Sequence, residues 1–109
     1  MADVNIISLI KMKPGQTREE FEKRWLEGHT PFGKSWKNAK NYQVFLINED
    51  VQGKQGDPIP FDGIGIMTWD SYEAMIEDFE SEQGVAGFAD GAKFMDACLN
   101  LYCTEYKQK

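Results

Sequence analysis

FDGIGIMTWDSYEAM, residues 61–75, holds a change of period that decides the fold. Phe61 to Trp69 reads as a strand, and Asp70-Ser71 then supplies the cap of a helix. In that helix Tyr72, Met75, Ile76 and Phe79 recur on one side. Within the strand, Gly63 and Gly65 share a face with Phe61, Met67 and Trp69. Two missing side chains on one face leave an empty volume, or else they mark a bulge or tight helix packing. Both readings stay open.

Working upstream, VNIISLIKM (4–12) is a first strand, apolar on both faces and closed by Pro14-Gly15. Thr17-x-x-Glu20 has the spacing of a capping box. The helix it opens carries Phe21, Trp25, His29 and Phe32 as one stripe. Pro31 is expected to distort or end that helix, with a looser turn running on towards Trp36. NYQVFLINE (41–49) is a second strand, and NEDVQGKQGDPIP (48–60) is the one long loop. Downstream, Gly84 to Met95 forms a weaker helix, and CLNLYCTEY (98–106) a fourth strand. Glu77, Asp78, Glu80 and Glu82 are expected on a solvated helix face.

The order β-α-β-β-α-α-β is that of an α+β, ferredoxin-like split β-α-β. Its four-stranded antiparallel sheet has helices on one face only. Strands one, three and four are nonpolar at both parities, so the open face needs a cover, and a twofold homodimer is the simplest. The face expected to make that contact carries Ile6, Ile10, Met67 and Tyr102.

A chain of 109 residues supports a single domain, here residues 1–109. A net charge of −6, with twelve basic residues spread among eighteen acidic ones, argues against a nucleic-acid partner. No apolar run approaches the roughly 20 residues that span a bilayer, and no secretory leader pattern opens the chain. A cytoplasmic protein without a membrane partner is expected. Cys98 and Cys103, five apart, point to opposite faces of one strand and are expected as free thiols. Neither has metal-ligand spacing to another Cys or His.

Three stretches carry a resemblance: TREEFEKRWLEGHTP, FDGIGIMTWDSYEAM and GFADGAKFMD. Their helix pattern E-E-F-x-x-x-W-x-x-x-H-x-P and the turn D-G-x-x-x-x-x-x-D-S resemble the EthD-like family of the dimeric α+β barrel superfamily. The resemblance covers nearly the whole chain. It implies two ferredoxin-like protomers joined through their sheets, each with a pocket between sheet and helices. Members include polyketide cyclases, a lactone methylisomerase, cofactor-independent quinone-forming monooxygenases and haem-degrading enzymes. Several cyclases place a catalytic histidine at the start of the last helix, where this chain has Gly84-Val85-Ala86-Gly87-Phe88. The oxygenases use Asn, Trp and His together. Asn5 and Trp69 could answer to the first two, and no histidine of the last helix completes the set.

The resemblance pairs the glycine face with Ser8, Asn100 and Tyr102, implying a mostly apolar pocket. The expected substrate-binding residues are Ser8, Phe21, Trp25, Gly65, Met67, Trp69, Phe88, Asn100 and Tyr102. The candidate catalytic residue is His29, the chain's one histidine. An imidazole suits proton transfer near neutral pH. It can equally serve as a helix-end residue bonded to a terminal carbonyl. Tyr42 and Asp62 are weaker candidates, the latter as a turn or edge residue. The expected activity is a cyclase, isomerase or dehydratase acting by proton transfer on an aromatic, polyketide-like or lactone compound. No metal or organic cofactor is implied. The alternatives are a cofactor-independent monooxygenase of a phenolic ring, or a non-catalytic, stress-associated binding protein.

Overall fold

A computed structural model describes residues 3–109; Met1 and Ala2, included in the single-domain expectation, lie outside them. The strands are β1 (Val4–Met12), β2 (Asn41–Leu46), β3 (Gly63–Trp69) and β4 (Met95–Cys103). They form one antiparallel sheet in the order β2-β3-β1-β4, the arrangement expected of the split β-α-β.

Registry decides which residues face the helices. Ile6, Ser8 and Ile10 pair with Met67, Gly65 and Gly63 on one side and with Tyr102, Asn100 and Cys98 on the other. These residues share the covered face. Ile10 packs with Phe21, Trp25 and Phe94, and Ile6 with Trp69 and Met75. The expectation that Ile6, Ile10 and Met67 form the dimer face is therefore corrected: they point under the helices. Tyr102 shares their side, 61% exposed on an edge strand. The open face is the other parity. It presents Phe45, Ile64, Leu9 and Leu99 as one row, and Ile66, Ile7 and Leu101 as the next, after Gln43.

The first helical arm runs through α1 (Arg18–Lys23), a π-helical segment (Arg24–His29) and α2 (Thr30–Lys34). The capping box forms as its spacing predicts: Thr17 Oγ accepts from the Glu20 N–H, and the Glu20 carboxylate accepts from the Thr17 N–H. Pro31 widens the helix rather than ending it. The Thr30 N–H donates to the Trp25 carbonyl, five residues back. Pro31 has no N–H for Leu26, so the buried Thr30 hydroxyl donates to the Leu26 carbonyl at 2.7 Å.

Three further expectations shift. The 48–60 stretch contains α3 (Glu49–Gln55), capped by Asn48, whose side chain accepts from the Val51 N–H. β4 starts and ends three residues earlier than 98–106, directly after the last helix. Asp78 leaves the solvated face of α4 (Tyr72–Glu80): it is 2% exposed and accepts from the Trp69 indole at 2.7 Å and from the Asn38 N–H. α5 (Glu82–Phe94) packs on both α2 and α4. Cys98 and Cys103 are free thiols on opposite faces of β4. Among the described residues, no helix is long and apolar enough to cross a membrane.

Candidate functional site

The covered face does not meet the helices everywhere. Between them lies a cavity of about 340 Å³. Its floor is Ser8, Ile10, Gly65, Met67, Cys98 and Asn100 of the sheet. Its walls are Trp25, His29, Phe32 and Trp36 of the first arm, Tyr42 of β2, and Gly87, Phe88, Gly91 and Ala92 of α5. Most of these surfaces are apolar, the usual character of a small-molecule site.

The two strand glycines divide the readings left open by the sequence. A Cβ on Gly63 would collide with the Trp25 ring, so Gly63 serves close packing of that indole. A Cβ on Gly65 would meet nothing nearer than Trp25 at 3.7 Å, and Gly65 lines the cavity. Neither has positive φ and the register runs unbroken through both, so neither marks a bulge.

Of the residues expected to bind substrate, Ser8, Trp25, Gly65, Met67, Phe88 and Asn100 are brought together around the cavity, with His29. Three are placed elsewhere. Phe21, a turn before Trp25, is fully buried between Trp25 and Phe94. Trp69 is fully buried against Trp36 and Phe79, its indole N–H held by Asp78. Tyr102 lies beyond the cavity on β4. Asn5 is on the opposite sheet face, accepting from the Thr68 hydroxyl at 2.7 Å, so Asn5 and Trp69 do not meet as an oxygenase set would require. Asp62 is a turn residue, in the bend before the interior strand β3: it accepts from the Met12 N–H and from Arg18.

His29 gains a partner that the sequence reading missed. Its Nδ1 lies 2.9 Å from Asp90 Oδ2, and Arg24 grips the same carboxylate with Nη1 at 3.0 Å and Nη2 at 2.6 Å. Arg24 lies 4.8 Å above the Phe94 ring and over Gly28, where a Cβ would press against its guanidinium. The Arg24 hydrogen bonds, opposed by burial and helped by His29, hold the Asp90 carboxyl below its ordinary pKa. An ionised carboxylate can only accept, so Nδ1 must donate. In neutral imidazole, Nε2 then carries the lone pair. The Cε1–Nε2 edge faces Gly91, whose missing side chain leaves it open to the cavity. The site thus holds a fixed tautomer with a basic nitrogen on an apolar surface.

Asp90 had a legible signal. It shares the inward stripe of α5 with Gly87, Gly91 and Phe94, where a carboxylate needs a partner. Tyr42 lines the cavity, and burial pushes its phenol pKa up against the opposing Trp25 hydrogen bond. No cluster of three metal-ligating side chains occurs among the described residues.

Comparison with curated protein sequences finds no match. Among solved structures, the chain is similar to an ethyl tert-butyl ether d (EthD) family protein of Bacillus halodurans, with TM-score 0.79 and 20% identity, over 95% of this chain and 99% of that one. It is similar to a dimeric ferredoxin-like protein of unknown function from Thermobifida fusca, with TM-score 0.75 and 10% identity, over 95% and 92% of the two chains. It is also similar to the hydroxynitrile lyase of Passiflora edulis, with TM-score 0.78 and 10% identity, over 99% and 97%. At these identities the likeness is one of fold. The sequence pattern described as the EthD domain matches residues 13–97, and on that match the chain belongs to the EthD domain family.

Proposed function

We propose that this protein is an acid–base catalyst that moves a proton on a small planar compound held in the cavity, with His29 Nε2 as the base. The observation that carries this reading is the His29–Asp90 pair, which commits Nδ1 as donor and, in the neutral imidazole, turns the Nε2 lone pair to the edge of an apolar pocket. Arg24 and Asp90 are positioning residues: they set the tautomer and the ring orientation. Trp25, Phe32, Trp36 and Phe88 offer aromatic faces that suit an aromatic, polyketide-like or lactone substrate. That a similar fold serves a lyase in Passiflora edulis supports catalysis of a small molecule on this scaffold.

The reading includes a homodimer. The outer rows from Phe45 to Leu99 and from Ile66 to Leu101 form one contiguous apolar patch, with Phe45, Leu99 and Leu101 40–50% exposed. Such patches are rare on monomers, and the dimeric Thermobifida fusca structure of similar fold supports a dimer here.

The experiment compares wild type with His29→Gln on a panel of aromatic, polyketide-like and lactone compounds, measuring turnover and binding separately. A catalytic base predicts turnover lowered about 10²–10⁴-fold, with binding changed little. Turnover retained by His29→Gln would refute it. Tight binding of a panel member without turnover, unaffected by the substitution, would point to a binding protein instead.

A further inference from the structure

The polar part of the cavity floor is organised around one side-chain amide. The Ser8 hydroxyl donates to Asn100 Oδ1 at 2.7 Å, and the Cys98 thiol approaches the same oxygen at 3.4 Å. Ser8 and Asn100 are direct partners across the β1–β4 ladder, so the backbone itself sets this contact. Burial raises the Cys98 thiol pKa, opposed by a hydrogen bond with Ser8, which keeps the thiol protonated and able to donate. In this orientation Oδ1 accepts both contacts, which leaves Nδ2 free to donate. Its Nδ2 hydrogens find no acceptor among the described residues, and Asn100 lines the cavity.

The charge of the lining is equally one-sided. No lysine or arginine lines the cavity, and Arg24 is committed to Asp90. Asp96 does line it, with no cationic partner within ion-pair distance among the described residues. An anionic substrate would meet a carboxylate and no counter-charge. A neutral carbonyl would meet an amide donor on the floor and a base on the wall.

We propose that the substrate is a neutral planar carbonyl compound with an acidic C–H beside the carbonyl, that Asn100 Nδ2 binds its carbonyl oxygen, and that Asp96 excludes carboxylates. This rests on the reading of His29 as the base. His29 Nε2 takes the proton from the carbon next to the carbonyl. The C–H bonding pair becomes a carbon–carbon double bond, and the carbonyl π pair moves onto oxygen. The resulting enolate oxygen accepts from Asn100, and reprotonation at carbon by His29 closes the cycle. Oxygen gains charge in this step, so the amide bond strengthens as the barrier is crossed.

The test uses naphthyl methyl ketone, with ethylnaphthalene as the hydrocarbon control and naphthoate as the anionic one. In deuterium oxide, wild type should exchange the ketone's methyl protons, read by NMR. Asn100→Asp keeps the oxygen that Ser8 needs and removes the donor; it should slow exchange about 10²–10³-fold, the usual loss for one such donor. Binding separates this from the His29 reading and needs no turnover. Wild type and His29→Gln should both prefer ketone to hydrocarbon, and Asn100→Ala and Asn100→Asp should both lose that preference. Asp96→Asn should raise naphthoate affinity about tenfold. If the Asn100 variants keep the preference for ketone, or naphthoate binds wild type as well as ketone does, the inference is overturned. If the preference depends on Asn100 but His29→Gln exchanges as fast as wild type, only the base assignment fails.

Discussion

Asp90→Asn should destabilise the protein by about 2 kcal/mol at neutral pH, and the size follows from what the carboxylate holds. Asp90 accepts from Arg24 at 3.0 and 2.6 Å and from His29 at 2.9 Å. Breaking a fully buried pair costs about 3–5 kcal/mol, and losing an exposed one costs less than about 1 kcal/mol. Here the Asp90 side chain is 11% exposed and that of Arg24 33%, so the guanidinium can partly rehydrate. The amide oxygen that remains keeps one acceptor, which places the loss between those limits. In a domain of this size 2 kcal/mol lowers the melting temperature by about 8–10 °C. The pH dependence has a definite sign. Arg24 and His29 lower the Asp90 pKa from 3.8, so its contribution is fully present above that value. It is lost as pH falls through the lowered native value. Thermal melts of wild type and variant at fixed concentration should therefore differ most near neutrality and converge under acid conditions. Equal melting temperatures at neutral pH, or a gap that widens on acidification, would refute the account of this triad.

The same substitution should slow any His29-dependent reaction by about 10²–10⁴-fold, because an amide can donate to Nδ1 and move the proton to Nε2; steady-state rates check this. Sedimentation at micromolar concentration should give twice the 12.5 kDa chain mass, and Ile66→Lys, a charge in the middle of the open face, should yield monomer. Gly65→Leu should fill the cavity floor and abolish ligand binding while the melting temperature changes little, as calorimetry and a thermal melt would show together. Gly63→Ala should do the reverse, costing about 1–3 kcal/mol by pushing on Trp25.

The elements were legible because each announces itself locally. Thr17-x-x-Glu20 predicts a cap that forms, and FDGIGIMTW is followed by a helix at the expected cap. Two local readings failed as well, α3 within 48–60 and the start of β4; the larger failures were not local. Ile6 and Ile7 are both apolar, so composition cannot tell which parity the helices cover; only the packing of Phe21, Trp25 and Phe94 on Ile10 settles it. Asp78 sits in an acidic run that reads as solvated, yet it is buried by partners outside its own helix, Trp69 and Asn38. Asp90 lies on the inward stripe of α5, but its partners Arg24 and His29 are more than sixty residues away in sequence. For His29 the sequence offered a stripe with Trp25 but no view of its second ring nitrogen. That came only with α5 laid across the π-helical segment.

His29 is the chain's one histidine, so the imidazole nitrogens give a single pair of signals in heteronuclear NMR. Measured at about pH 8.5, well above the ordinary imidazole pKa, they report the tautomer directly. The His29–Asp90 geometry predicts a proton on Nδ1 and a free lone pair on Nε2, with the Nε2 signal shifting when naphthyl methyl ketone enters the cavity. A proton on Nε2, or an Nε2 signal that ignores a bound ligand, would contradict the assignment of His29 as the base.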